Sequence, residues 1–158
     1  MHIRNATTGD IPALMDLLEQ VAQVHHRLRP DIFRSHSSKY SPQELSQILT
    51  DPDRPIFVYD DGGVLGYAFC IRKTAPAGVM HPRTELYIDD LCVDEGSRGR
   101  GIATALYDHV CTVARQLGCR FVTLNVWCGN DTAMAFYQKC GLRNRSILME
   151  MPLEETQC

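Results

Sequence analysis

The chain has 158 residues, 44% of them apolar and 22% charged, with a formal net charge of −3. That length suits one domain with one core, expected over residues 1–158, and the slight acidic excess gives no cationic field for a nucleic-acid partner. No run approaches the ~20 apolar residues that span a bilayer, and the first ten residues lack a charged-then-apolar leader, so no membrane partner and a cytoplasmic location are expected.

In chain order, a short strand is expected near Ile3. Thr8-Gly9-Asp10 then opens a helix, with Pro12 in its first turn and Ile11, Leu14, Leu18 and Val21 at helical spacing. His25 to Ser38 carries Arg27, Arg29, Pro30 and Arg34 and reads as a loop or short irregular helix. Here His25 and His26 suit a helix-end role, and the arginines a solvated loop. Ser41-Pro42-Gln43-Glu44 has the spacing of a capping box, which predicts a helix from Pro42 to Leu49. Pro55–Tyr59 and Val64–Ile71 flank Asp60-Asp61-Gly62-Gly63 and read as a hairpin. A loop is expected from Ala75 to Pro82, and a long strand from Thr84 to Val93. After a Gly/Arg loop, Ile102, Leu106, Val110, Val113 and Leu117 mark one face of a helix that ends at Gly118. Phe121–Trp127 is expected as a strand, Asn130–Lys139 as a short helix closed by Gly141, and Ile147–Met151 as a final strand.

Seven cysteines, at positions 70, 92, 111, 119, 128, 140 and 158, form no CxxC pair and no His/Cys cluster at ligand spacing. Neither a disulfide framework nor a metal site is expected. Most of them read as small buried hydrophobes, and Cys158 as an exposed thiol.

Two stretches carry chemistry. In the first, the strand ending at Leu91-Cys92-Val93 runs into Gly96-Ser97-Arg98-Gly99-Arg100-Gly101 and then a helix. N–H groups at such a helix start lack intrahelical partners, and the helix dipole is positive there, so the turn suits a pyrophosphate. Gly99 and Gly101 remove side chains from the approach, and Arg98 and Arg100 add charge. The loop has neither GxGxxG in frame nor Gly-Lys-Ser/Thr, which argues against a dinucleotide fold or a P-loop. In the second stretch, Asn130 is a good helix N-cap, and Ala133, Phe136 and Tyr137 share one face.

Together these stretches resemble the GNAT superfamily of N-acetyltransferases. Arg98-x-x-Gly101-x-Ala103 is similar to its acetyl-CoA motif, and Asn130-x-x-Ala133-x-x-Phe136-Tyr137 to its second motif. The resemblance is strong from Leu86 to Leu142 and weak in the N-terminal third. It implies an α/β fold: a mixed, mostly antiparallel sheet flanked by helices, whose parallel central strands splay apart near Val93 and Trp127. It also implies acetyl-CoA in that split. The pantetheine arm would pair with backbone at Leu91 and Val93. The pyrophosphate would sit on the N–H groups of Arg98, Gly99, Arg100, Gly101, Ile102, Ala103 and Thr104. Asn130 and Tyr137 would face the thioester.

The expected reaction is direct attack by a primary amine of a small molecule on the thioester. A peptide or protein acceptor and a non-catalytic acyl-CoA-binding module are the alternatives, and a homodimer is left open. An alkylamine with a pKa near ~10.4 is protonated at neutral pH and must lose a proton before it attacks. Asp89 and Asp90, just before Leu91, are candidate bases, and strand alternation turns them to opposite faces, so one is expected to dominate. The segment Tyr87–Val93 is similar to the corresponding strand of spermidine/spermine acetyltransferases, which also carries two acidic residues. Tyr137 is the candidate proton donor to the departing thiolate. A backbone N–H at Cys92 is the expected oxyanion donor. The Cys92 thiol is not expected to carry the acyl group.

Overall fold

Apolar strand residues build a single five-stranded sheet in the computed structural model, which describes residues 1–75 and 78–153. Its strands are β1 (His2–Asn5), β2 (Ile56–Asp60), β3 (Val64–Ala75), β4 (Arg83–Val93) and β5 (Phe121–Leu124), in that spatial order. β1 to β4 pair antiparallel, and β5 joins β4 in parallel. The parallel step needs a crossover, supplied by helix α3 (Ile102–Gln116). Among the described residues, no helix is long and apolar enough to cross a membrane.

Both faces of the sheet are covered. Helices α1 (Ile11–Leu28) and α2 (Pro42–Ile48) bury Leu14, Leu18, Leu45 and Ile48 against Val58, Tyr67, Phe69 and Cys92. On the opposite face, α3 buries Ile102, Leu106, Val110 and Ala114 against Phe57, Ala68, Leu86 and Ile88. Each fully buried aliphatic side chain contributes about 1.5–3 kcal/mol. Helix α4 (Asp131–Lys139) follows β5, and its Phe136 meets Tyr107 of α3 edge-on, with ring centroids 6.5 Å apart.

Local chemistry sets the helix starts. Ser41 accepts a bond from Glu44 N–H at 3.2 Å, while the Glu44 carboxylate accepts from Ser41 N–H at 2.7 Å. This is the reciprocal capping box. Pro12 lies in the first turn of α1, where a missing N–H costs nothing. Arg4 ties β1 to the start of α1, donating to both Asp10 oxygens at 2.8 and 2.9 Å and to Asp60 at 2.8 Å. Gly66 on β3 lets α3 dock closely. A Cβ there would lie 2.9 Å from Cys92 O and 3.2 Å from Ile102 Cγ2. The first turn of α3 is thereby seated directly on β3.

Four elements differ from expectation, among them β3, which runs on to Ala75 instead of ending at Ile71. Residues 25–28 are the last turn of α1 rather than the start of the expected loop or short irregular helix, held by Arg29 N–H to His25 O at 2.9 Å. β5 ends at Leu124 instead of Trp127, because its pairing with β4 ends at Ile88 opposite Leu124. Residues 147–151 form no strand: no strand partner among the described residues reaches them, and Ile147, Leu148 and Met149 are 77%, 100% and 86% exposed. The expected Ala75–Pro82 loop also starts later, since Ala75 is the last residue of β3, and residues 76–77 lie outside the described part. The expected exposed thiol of Cys158 lies outside the described residues too.

Candidate functional site

The site begins where the two parallel strands part. β4 and β5 pair through Glu85–Phe121, Leu86–Val122, Tyr87–Thr123 and Ile88–Leu124, and no further. β4 itself continues to Val93, still paired to β3. Its edge from Asp89 to Val93 therefore faces an open split rather than a strand.

Register decides which groups line that edge. Asp94 N–H donates to Leu65 O at 2.9 Å, Cys92 lies opposite Tyr67, and Asp90 opposite Phe69. In an antiparallel pair the residues that bond a given neighbour recur at every second position. The backbone groups of positions 90, 92 and 94 thus turn to β3, and those of Leu91 and Val93 turn to the split. Leu91 and Val93 are the two positions expected to meet an extended ligand arm. The expected oxyanion role for Cys92 N–H is corrected, because that group points into the sheet. The Cys92 thiol is also buried, and burial pushes its pKa up to about 12, so it is a poor nucleophile.

A bulge sits at the head of the split. Phe69 pairs with Asp90 while Cys70 pairs with Ile88, so Asp89 is an extra residue on β4. A bulge suspends the usual alternation. Ile88 packs on the α3 side. Asp89 accepts from the Tyr40 hydroxyl at 2.5 Å and pairs with Lys39 at 2.9 Å. Asp90 accepts from the Tyr67 hydroxyl at 2.8 Å. Tyr40 and Tyr67 both belong to the α1–α2 layer. The two carboxylates therefore share one face, against the expectation of opposite faces.

Their environments differ. Asp89 is held by a cation and a phenol. Asp90 is half-buried with Tyr67 as its one side-chain donor among the described residues, and burial raises its pKa to about 6, opposed by the Tyr67 bond and by Lys39. A carboxylate poised near neutrality beside an open strand edge is suited to proton transfer. Tyr137, on α4, is half-buried, and its hydroxyl has no hydrogen-bond partner among the described residues. Burial, and then the charge of Asp90, raises its pKa well above that of a free phenol. It therefore stays protonated, as a donor must. Asn130 caps α4 by accepting from Ala133 N–H at 3.2 Å, which leaves its side-chain NH2 as the group free to meet a ligand.

The turn below the split is open. Gly99 and Gly101 both have φ of +77°, a left-handed conformation that favours glycine, and a Cβ on either would meet nothing within 4 Å. The first bond inside α3 runs from Ala105 N–H to Gly101 O at 3.0 Å, so the N–H groups of Ile102, Ala103 and Thr104 precede the helical ladder. Those donors, the positive helix end and the empty approach fit a pyrophosphate. Gln20 of α1 clamps the loop, donating to Asp94 at 3.0 Å and accepting from Glu95 N–H at 3.0 Å. Arg98 Nε lies 3.5 Å from Val93 O, whereas Arg100 turns away to Asp61 at 3.1 Å.

Tyr40, Lys39 and Tyr67 are site groups that sequence reasoning missed. Tyr40 immediately precedes the Ser41 cap, a position where an apolar ring often packs back onto its helix, and this was the available signal. His25 and His26 lie outside the carboxylate pair. His25 packs on Phe33 with centroids 5.0 Å apart, and the His26 ring meets Phe33 O at 2.7 Å. Among the described residues no group of three or more His, Cys, Asp and Glu could hold a metal ion.

Residues 17–142 match the model of the acetyltransferase (GNAT) family. A single-site mutant of the BH1408 protein from Bacillus halodurans superposes with a TM-score of 0.94, is 31% identical, and is matched over 98% of this chain and 100% of that one. The uncharacterised N-acetyltransferase YdgE of Bacillus subtilis is 34% identical over 77 residues, 49% of each chain. Glucosamine 6-phosphate N-acetyltransferase of Trypanosoma brucei brucei is 33% identical over 67 residues, 42% of this chain and 44% of that protein. The chain thus spans about half the length of these two curated relatives. With a family match over most of its length and a split sheet above a helix-opening glycine turn, the chain belongs to the GNAT acetyltransferase family.

Proposed function

We propose that this chain, acting as one domain, transfers the acetyl group of acetyl-CoA to a primary amine of a small molecule by direct attack. The observation that carries the reading is the pair of carboxylates brought to one face by the Asp89 bulge, beside the open edge of β4. Asp89 and Lys39 form a polar mouth that orients the acceptor. Asp90 takes the proton from the acceptor's ammonium, directly or through one water, and frees the nitrogen lone pair. The C–N bond forms as the C–S bond breaks, and Tyr137 gives its proton to the leaving sulfur. The extra proton on the new amide nitrogen returns to the Tyr137 phenolate, directly or through water, and Asp90 releases its proton to solvent, which restores both groups. N–H groups of Leu91 and Val93 face the split and are the backbone donors in reach of a ligand there. The bonding capacity of the turn, from Arg98 to Thr104, is directed to the pyrophosphate.

An amine that also carries an anionic group suits this mouth, because Lys39 and Arg54 stand beside the carboxylates. Lys39 pairs with Asp89, and Arg54 donates to the Tyr40 hydroxyl at 3.0 Å. One relative's own acceptor, glucosamine 6-phosphate, has that chemistry. The test is release of free CoA thiol with a panel of amino sugars, their phosphates, polyamines and peptides. Turnover with a small amine is expected. Turnover with peptides alone, or acetyl-CoA binding without turnover on any amine, overturns the reading.

A further inference from the structure

Arginine carries most of the positive charge in this chain. Only three of its sixteen basic residues are lysines, at positions 39, 73 and 139. Among the described residues every side-chain ion pair but one uses an arginine. The exception is Lys39 on Asp89. For holding a carboxylate, a guanidinium is the better partner, because its planar fork offers two parallel bonds and never loses its charge. What lysine offers instead is a primary amine, the group on which acetyl transfer acts.

Lys39 brings that amine to the head of the split. Its Nζ lies 2.9 Å from the Asp89 carboxylate and donates to the Asp89 main-chain oxygen at 3.1 Å. Asp89 is the extra residue of the bulge. An ammonium has three N–H donors, so Asp89 takes two, and the third is uncommitted among the described residues. The Lys39 charge also reaches Asp90, where it opposes the pKa rise that burial causes. The edge open to a cofactor arm leads to the same place. The glycine turn follows Val93, and the backbone groups of Val93 and then Leu91 face the split. An arm laid on that edge, with its pyrophosphate on the turn, ends past Leu91 at the bulge. There the Lys39 side chain is 44% exposed against 12% for Asp89, so the amine stands on the open side of the carboxylate. The other two lysines stand apart from the carboxylate pair: Lys73 lies 3.8 Å over the Tyr87 ring, and Lys139 is the last residue of α4.

We propose that Lys39 is a self-acetylation site: with acetyl-CoA bound and the acceptor absent, the chain transfers the acetyl group to its own Lys39 Nζ. The inference rests on the transfer reaction proposed above and uses the same groups. Asp90 takes one proton from the Lys39 ammonium, directly or through one water. The Nζ–C bond forms as the C–S bond breaks, and Tyr137 gives its proton to the leaving sulfur. The extra proton on the new amide returns to Tyr137, and CoA departs as the free thiol. No further reactant is needed. The product is a neutral amide, so the modified chain loses the one cation paired with Asp89, and a mouth of mixed charge becomes an acidic one.

The test is peptide mass spectrometry of the full chain after incubation with acetyl-CoA alone, beside thiol release with the amine panel. Lys39 should gain one acetyl group at least ~100-fold faster than Lys73 or Lys139, at a rate unchanged when the chain is diluted. Asp90→Asn and Tyr137→Phe should each slow that gain by ~10-fold or more. Lys39→Arg keeps a cation on Asp89 and should melt like the wild type while taking up no acetyl group there. Lys73→Arg is the control and should leave the Lys39 rate intact. Acetyl on Lys39 without turnover of any small amine upholds the inference and overturns the small-molecule acceptor. An unmodified Lys39 during turnover of a small amine overturns the inference and leaves the proposed reaction standing. Lysines modified at equal rates, a Lys39 rate unmoved by both site variants, or a rate that falls on dilution also overturns it. Neither thiol release nor an acetylated Lys39 overturns both.

Discussion

Replacing Asp90 by Asn tests the site through two quantities that should move in opposite directions. Asn keeps an acceptor oxygen for the Tyr67 hydroxyl and nearly the same volume, and it removes the titrating charge. With Asp90 in the proposed role of base, kcat/KM of the variant for the acceptor should fall roughly 10²- to 10⁴-fold at neutral pH. The wild-type profile should bend near about 6, where Asp90 titrates, whereas the variant should keep rising with pH as free amine accumulates. Stability should move the other way. The folded-state pKa lies above the ordinary 3.8, so the contribution of Asp90 is fully present below that value and is lost as pH rises through about 6. Above pH 6 the buried charge costs the wild type at most about 3 kcal/mol, which corresponds to a Tm up to about 10 °C lower than that of the variant. At pH 4 the two proteins should melt almost together. Steady-state thiol release and thermal melts at pH 4 and 8 measure both. An Asp90→Asn protein with a wild-type pH profile, or one less stable than wild type at pH 8, would refute the reasoning.

Other perturbations separate the remaining parts. Tyr137→Phe removes one hydroxyl and should lower kcat by roughly 10- to 1,000-fold, with acetyl-CoA affinity by calorimetry unchanged. Wild-type turnover in this variant would return the ring to a packing role. Gly101→Glu should abolish measurable acetyl-CoA binding. Because φ is +77° there, Gly101→Asn, which tolerates that conformation, is the control that should retain most of it. Arg4→Ala should expose how Asp10 stabilises the fold. Arg4 holds the Asp10 carboxyl down at about 2, so that stability is present above pH 4 and lost as pH falls through 2. The variant should lose about 2 kcal/mol at pH 7 in urea titrations and converge on wild type in acid.

Periodicity and turn chemistry made most of the fold legible. Leu14 and Leu18, and then Ile102, Leu106 and Val110, recur at helical spacing and do face the sheet from its two sides. The capping box at Ser41 forms as its spacing predicts. Val113 fits the α3 stripe and packs at the edge of that core, whereas Leu117, one residue past the end of α3, is 37% exposed and Ala114 is buried instead. The carboxylate pair was visible as two adjacent aspartates, but its orientation was not. Alternation is a local rule, and the bulge that breaks it is set by how β3 lies against β4. Tyr67 could not be tied to Asp90 from the sequence for the same reason, since 23 residues of chain separate them. The 147–151 segment has strand composition, but composition does not say what it pairs with.

The extra residue at Asp89 makes β4 sensitive to length rather than to content. Everything beyond it is out of step with everything before: Leu86 and Ile88 serve the α3 layer, Cys92 serves the α1 layer, and the backbone of Leu91 and Val93 faces the split. Substitutions along this strand act one side chain at a time. Deleting any single residue between Asp89 and Leu91 would erase the offset, sending the thiol of Cys92 and the side chain of Val93 to each other's layers and turning the split-facing backbone into the sheet. The strand can therefore exchange its chemistry freely while its residue count stays fixed, so new acceptor specificities are open to it by replacement and closed to it by insertion or deletion.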